Sequence, residues 1–529
     1  MYAGIDNLVV SAGKVSAEID YELTPRIARM CAVSENQVLS YRILKRSIDA
    51  RKKPDVKLLY KLVVELKDTA RPVLPAVREN PVPEVSSFEP VNRSGIRSPV
   101  IVGAGPAGLF AALTLAMAGA KPVVIERGFS VEQRRKDIRA FLDTRQLNTD
   151  SNYLFGEGGA GTWSDGKLFT RVRSEVMPFV MNTFVQCGAP ENILYVSHPH
   201  LGSDRLPQII AALRQKIIDY GGSFLWGKQV IAPVMKNGKC SGVRLSTGES
   251  VEAAAVLMAP GHSARELILN LIAAGASFRL KGFQTGMRIE HRQSFINRMQ
   301  YGREESFPAV GAADYCLSCS PGRGSDVTSG ATTFCMCPGG EIIPAVCEHG
   351  LLCTNGMSLY ARTGKFANSA VITTVDATAF SSAEEVFSFL ERMEKAAFRI
   401  GGGDYTAPAQ TASDFLAGKS GSLPAESSYC FGRVPADMNK IFPSAVSSVL
   451  QKALCRFDRM MPGFIREGTF TGVETHVSSP VRFERDVQRL DTPGCPRLYI
   501  AGEGAGMAGG ITSAAIDGIR LATAMLECD

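Results

Sequence analysis

The sequence predicts an α/β protein in three parts: a small N-terminal α/β module, a parallel-sheet domain with helices packed on it, and a second domain inserted into that sheet domain so that it is discontinuous. Three observations predict it. From about 99 to 271, short β-branched runs alternate with helical runs, as in a parallel sheet with helices packed on it. The C-terminal segment returns to the same order, with a strand at 497–500, a glycine loop and a helix at 513–526. Between 71 and 99, prolines at 72, 75, 81, 83, 90 and 99 exclude a regular element, so the stretch reads as an extended linker. The divisions that follow are a basic module over 1–67, a linker over 68–97, the sheet domain over 98–271 and 481–529, and an inserted, substrate-bearing domain over 272–480.

The chain has 529 residues, beyond the ~250–300 at which single cores stop growing. With 45% hydrophobic and 21% charged residues it is globular, which excludes disordered and collagen-like chains. The net charge of +6 has one source: residues 26–67 hold eleven Lys or Arg against four Asp or Glu, and the remainder is close to neutral. The 13 cysteines form no extracellular framework and no basic, apolar signal opens the chain, so free thiols in a reducing cytoplasm are expected. Residues 98–120 carry no charge, which is long enough for a membrane span, but Gly103, Gly105, Pro106, Gly108 and Gly119 interrupt them. Their pattern also changes midway from strand to alanine-rich helix, so no membrane contact is expected.

In the N-terminal module, Thr24 and Pro25 open a short helix as cap and first-turn proline. Strands at 38–48 and 56–66 are joined by Lys52-Lys53-Pro54-Asp55. In the inserted domain the helical periods fall at 383–399 and 443–461, among strand-like and loop-like stretches.

The chemistry begins at Val100-Ile101-Val102-Gly103-Ala104-Gly105-Pro106-Ala107-Gly108, a G-x-G-x-x-G run directly after a strand and directly before a helix. Gly103 permits the tight turn, Gly105 admits a pyrophosphate close to the backbone, and Gly108 lets the helix sit on the strand. The helix N-terminus then offers its free N–H groups to phosphate. A second strand, 122–125, ends in Glu126, 18 residues after Gly108, where a Rossmann-like domain places the carboxylate that accepts ribose hydroxyls. Arg127 next to it could instead serve a 2′-phosphate.

The fingerprint does not separate FAD from NAD(P). The C-terminal run from Leu498 through Ala501-Gly502-Glu503 to Gly509-Gly510-Ile511 resembles the second FAD motif of flavoproteins of the glutathione-reductase and p-hydroxybenzoate-hydroxylase type. That resemblance implies that Glu503 binds the ribityl chain and that the helix starting at Gly509, Gly510 and Ile511 faces the flavin. A helix N-terminus stabilises negative charge on reduced flavin. The run Gly158-Gly159-Ala160-Gly161-Thr162-Trp163-Ser164-Asp165-Gly166-Lys167 looks like the glycine-serine loop that passes over pyrophosphate and isoalloxazine in the same superfamily, and Gly261 matches the turn after a later sheet strand. Together these segments resemble a family of FAD-dependent dehydrogenases of uncertain substrate with a small N-terminal domain. The implied function is an FAD-dependent oxidoreductase that moves a hydride between flavin and an organic substrate. An FAD-dependent monooxygenase and an RNA- or partner-binding flavoprotein are the alternatives.

No second G-x-G-x-x-G stands in a strand–helix setting and no C-x-x-x-x-C follows the first flavin helix, which argues against a disulfide reductase with its own NAD(P)H domain. The electron donor is left open between NAD(P)H docking directly, a donor protein and the substrate itself. Candidate catalytic groups are His198 and His200 in the loop Ser197-His198-Pro199-His200, because imidazole titrates near neutral pH. Glu474, His476 and Arg482 are candidates to line the flavin cavity, and the resemblance implies an arginine where His476 stands. Arg288 and Glu290 share one strand face and read as an ion pair. Cys316, Cys319, Cys335, Cys337, Cys347 and Cys353 cluster within 38 residues; the alternatives are structural packing, a zinc or iron–sulfur site, and a thiol step. No metal is assigned. The basic module lacks interleaved aromatic residues, so nucleic acid is not the expected partner.

Overall fold

The computed structural model describes residues 1–70, 72, 88, 98–320 and 330–527; the expected linker lies almost wholly outside the described residues. The sheet domain is built on five parallel strands in the order Leu498–Ile500, Val256–Met258, Val100–Val102, Val123–Ile125 and Ser223–Leu225. The last strand of the chain thus does return to the first sheet. Alternation decides the two faces. Ile101, Val124 and Leu257 pack with the helices Pro106–Met117, Leu206–Asp219 and Ile511–Glu527. Val100, Val102, Val256 and Met258 pack with Val243 and Leu245 of the antiparallel sheet formed by Val230–Lys236, Lys239–Leu245 and Ser250–Glu252.

The charge-free run at 98–120 finds its explanation in the helix Pro106–Met117. Every residue from Ala107 to Ala116 is buried, because the helix lies between the sheet and the helix Ile511–Glu527 and needs no polar face. The crossing is close: a Cβ added at Gly518 would stand 2.0 Å from the Ala107 carbonyl oxygen. Among the described residues, no helix is long and apolar enough to cross a membrane.

The inserted domain carries seven strands in the order Ser318–Cys319, Ala331–Cys337, Phe366–Val375, Phe283–Arg292, Thr469–Glu474, Ala407–Thr411 and Arg433–Pro435, antiparallel except for the last pair. The amphipathic helices Ala383–Ile400 and Ser444–Met460 bury Leu390, Met393, Leu450 and Phe457 in its core. The expected Arg288–Glu290 pair does not form. Strand Thr469–Glu474 pairs with Phe283–Arg292 and brings Glu474 to Arg288 at 3.0 Å with both side chains buried, while Glu290 accepts from the backbone and hydroxyl of Ser428.

The N-terminal module is an antiparallel sheet in the order Tyr2–Ser11, Lys57–Leu66, Val38–Asp49 with the helix Thr24–Cys31 against it. Strand Tyr2–Ser11 was not among the expected elements; it carries Asp6 and Asn7 in a register shift between Ile5 and Leu8. The basic strand Val38–Asp49 is an edge strand, and it docks on the sheet domain. Arg46 exchanges backbone hydrogen bonds with Tyr195 and Ser197, at 2.7 and 2.9 Å. Its side chain reaches buried Asp20 at 2.5 Å, and the Tyr60 and Tyr195 hydroxyls donate to the same carboxylate at 2.8 and 3.0 Å.

Candidate functional site

A cavity of about 490 Å³ lies at the C-terminal ends of the parallel strands and reaches the wide sheet of the inserted domain. Sheet crevices of this kind are where open α/β folds take ligands. Strand Val100–Val102 ends at Gly103, whose φ of +96° is open to glycine; a Cβ there would stand 2.3 Å from the Ala259 carbonyl. Gly105, in contrast, has nothing nearer than the Gly159 Cα at 4.0 Å, so the space over the helix start stays open. No side chain caps the helix Pro106–Met117, and its first residues line the cavity, which leaves the leading N–H groups for an anion.

Glu126 is 5% exposed and its carboxylate accepts from the N–H groups of Ala104 (2.8 Å), Gly128 (2.9 Å) and Gly156 (3.2 Å). Three donors fix the group in place while lone pairs remain for hydroxyls in the cavity. The neighbouring Arg127 is committed elsewhere: it pairs with Asp150 at 2.7 Å and lies over the Phe155 ring.

The glycine loop is shaped from beneath by Arg134. Fully buried, it donates to the carbonyls of Asn152, Glu157 and Gly159 at 2.7–2.9 Å and lies over Trp163. Burial lowers its pKa to about 9, against the pull of Glu126 and Glu157. At the loop's far end Asp165 is held by Lys167 at 2.8 Å and Arg362 at 2.6 Å. Burial opposes its charge, but these two cations outweigh burial and hold its carboxyl well below the carboxylate range.

The far wall comes from the inserted domain: Phe334, Cys335 and Asn355, with His262 and His476 beside them. His262 Nδ1 lies 3.2 Å from Glu503, while its Nε2 is buried without a partner. His476 bonds Ser263 at 2.9 Å. Burial, then Arg265 and His262, push its pKa well below the usual value, so it stays neutral. Behind it Arg265 and Glu394 form a bidentate pair at 2.6 and 2.9 Å. Cys335 has φ +46°, a left-handed conformation that costs a non-glycine residue about 1–2 kcal/mol. It sits in a register shift between Phe334 and Cys337.

Of the residues expected to contact the cofactor, all but Gly108 and Gly158 line this cavity. Those two lie beneath its floor, where an added Cβ would meet the Gly103 carbonyl and the Thr162 hydroxyl. The candidate catalytic histidines need correction, since neither lines the cavity. His198 is exposed and packs edge-on against Phe169. His200 bonds the Tyr360 carbonyl at 2.9 Å and stacks on that ring. Burial and the Arg362 charge push it down to about 4. A bridge between Lys167 and His200 ties their loop to the other side of the glycine-loop backbone. Arg134, His262 and Cys335 take the foreground instead. Among the described residues, no group of three or more His, Cys, Asp or Glu could hold a metal ion.

Residues 282–477 match the family described as FAD-dependent protein, C-terminal domain-like, residues 98–140 an FAD binding domain, and residues 6–65 a domain of unknown function. A Clostridium beijerinckii protein described as uncharacterized is 36% identical over 534 residues, covering 98% of this chain and 99% of its own. The chain belongs to the same family as this protein, one of FAD-dependent flavoproteins. Similar solved structures include a geranylgeranyl bacteriochlorophyll reductase-like protein from Thermoplasma acidophilum, 13% identical over 81% of this chain and 78% of that one, with a TM-score of 0.36. Another is L-proline dehydrogenase from P. horikoshii, 11% identical over 82% and 93%, with a TM-score of 0.34.

The cavity of this flavoprotein fits the cofactor. The open space at Gly105 and the uncapped helix suit a pyrophosphate, and Glu126 suits the adenosine ribose. Gly509 and Gly510, where an added Cβ would meet nothing within 4 Å, leave the start of the helix Ile511–Glu527 free to face the flavin. Bound FAD supplies two-electron hydride chemistry.

Proposed function

We propose that this flavoprotein is a dehydrogenase or reductase that transfers a hydride between FAD and an organic small molecule held against the inserted domain. The observation that carries the reading is the continuity of one cavity from the Gly103–Gly108 fingerprint to Phe334, Cys335 and Asn355. One end suits a dinucleotide, and the other offers an aromatic wall with polar groups for a second molecule.

His262 is the proposed proton-handling residue. The His262 ring lines the cavity with its Nδ1 3.2 Å from the Glu503 carboxylate, and its Nε2 is buried without a protein partner. A substrate O–H or N–H could give its proton there as hydride leaves the adjacent carbon, and the reverse reaction would return it. Glu503 orients the ring and stabilises it when protonated.

The proposed reductant, where the reaction runs toward reduction, is NAD(P)H entering the same cavity or a small electron-donor protein. The test is anaerobic. The FAD-loaded protein is mixed with NADH, with NADPH and with panels of hydroxy and amino compounds while the yellow flavin band is followed. Bleaching by one of these classes, followed by slow and substrate-independent reoxidation in air, supports the reading. Reoxidation that inserts oxygen into the substrate would replace it with a monooxygenase reaction, and a flavin that nothing bleaches except dithionite would remove it.

A further inference from the structure

We propose that Cys335 and Cys337 form a redox-active dithiol in the wall of the flavin cavity, closing to a disulfide as they give an electron pair to FAD and reopening when the pair returns. The proposal rests on the cavity holding FAD.

Four observations carry it. Cys335 lines the cavity, and Cys337 is fully buried directly behind it. The Cys337 thiol donates to the Cys335 carbonyl at 3.3 Å, which turns it back toward Cys335. In a regular strand, residues i and i+2 share a face about 6.6 Å apart, at the upper limit of the Cα spacing a disulfide accepts. Here the register shift and the left-handed Cys335 take the strand out of full extension at this dipeptide.

The third observation is the charge around the pair. Arg288 donates to the Cys335 carbonyl at 2.7 Å and stands 3.3 Å from the Cys337 sulfur. Its approach needs a missing side chain at Gly356, where a Cβ would lie 2.1 Å from the guanidinium. Lys167 bonds the Met336 carbonyl between the two cysteines. Two cations therefore face one dithiol, Arg288 with Glu474 on its far edge at 3.0 Å and Lys167 paired with Asp165 at 2.8 Å. The fourth is the resulting acidity. Its coupling to Cys337, with Lys167 and Arg288 acting the same way against burial, holds the Cys335 thiol below the ordinary cysteine value, while Cys337 is raised. One sulfur is poised as thiolate and the other keeps its proton.

The step balances with the flavin alone. The Cys335 thiolate sulfur bonds to the Cys337 sulfur, the Cys337 S–H bond breaks, and two electrons and one proton pass to oxidised FAD, giving the singly protonated reduced flavin. In reverse, that flavin returns two electrons and a proton and the S–S bond opens. Nothing in the hydride reaction proposed above uses these two thiols, so the couple adds a second electron route to the same cavity.

The test uses the full-length protein in anaerobic dithiothreitol buffers of graded oxidised fraction, quenched with iodoacetamide and digested. The expected result is a peptide containing 335 and 337 that loses two hydrogens reversibly at one midpoint, while exposed Cys316 and Cys455 stay alkylatable throughout. Cys335 alkylation should level off at a pH below the ~8.5 of an ordinary thiol. Reduced wild-type protein should bleach its flavin without added substrate, and Cys337→Ser, which keeps the Cys335 thiolate, should not. A flavin-bearing protein in which both cysteines alkylate independently at every potential overturns the couple and leaves the FAD reading intact. A disulfide that closes at its own midpoint in protein that binds no flavin overturns the electron transfer and the FAD reading together.

Discussion

His262 is the residue on which the proposed hydride chemistry turns. Replacing it with Gln keeps a polar side chain beside Glu503 but removes the proton acceptor. The expected outcome is unchanged FAD content with kcat reduced about 10²–10⁴-fold, the usual contribution of a positioned acid–base group. Anaerobic single-turnover kinetics would check it. His291 makes a prediction about stability instead. It is 1% exposed, and burial pushes its pKa to about 4. Between pH 6.5 and 4 the unfolded chain takes up a proton at this site that the folded chain refuses, so stability present at neutral pH is lost as pH falls. Relative to His291→Asn, the wild type should lose about 2 kcal/mol between pH 7 and pH 5, read from urea unfolding at both pH values. At this scale the sequence spoke clearly where backbone geometry dictates the residue: Gly103 is readable from its tight turn, and Gly105 and Glu126 are readable as cavity-lining positions from the spacing of the fingerprint. His262 and Cys335 were not, since each acquires its role from groups distant in sequence: Glu503, Arg288 and Lys167. Arg134 had a signal that went unread. It shares the buried stripe of the helix Val131–Thr144 with Val131, Ile138 and Phe141, where a charged residue needs an explanation.

Elements were legible in proportion to their regularity. The helices Ala383–Ile400 and Ser444–Met460 follow from their periods and Pro106–Met117 from its alanine-rich run after the fingerprint, whereas strand Tyr2–Ser11, with its register shift, was not read. The sequence divided the basic module from the rest, but its docking depends on contacts that no pattern encodes. Buried Asp20 collects Arg46, Tyr60 and Tyr195, joining helix, sheet and the neighbouring domain at one carboxylate. Asp20→Ala leaves a partly buried guanidinium and two hydroxyls without an acceptor, and should destabilise the module by about 3 kcal/mol. Hydrogen exchange should then show faster protection loss in strands Val38–Asp49 and Lys57–Leu66 with the parallel sheet unaffected. Equal loosening of both would mean that the module is part of one cooperative unit.

For the whole molecule, the consequence is that the inserted domain completes a cavity that the parallel sheet begins. FAD at about a hundred times its Kd should raise stability by about 2.7 kcal/mol, with both domains melting together, because both line the site. The parallel sheet, its discontinuity and the second domain were legible as alternation and return. Which face of the seven-stranded sheet meets the cavity was not, because strand order there follows pairings between distant segments such as Phe283–Arg292 with Thr469–Glu474. The most direct test of the central claim is the visible absorption spectrum and FAD stoichiometry of the purified protein beside Gly105→Val, whose side chain would fill the space over the helix start. The account predicts a yellow wild type with close to one FAD per chain and a folded, colourless variant. A variant that keeps its full flavin, or a wild type that stays colourless after FAD is added, would contradict it.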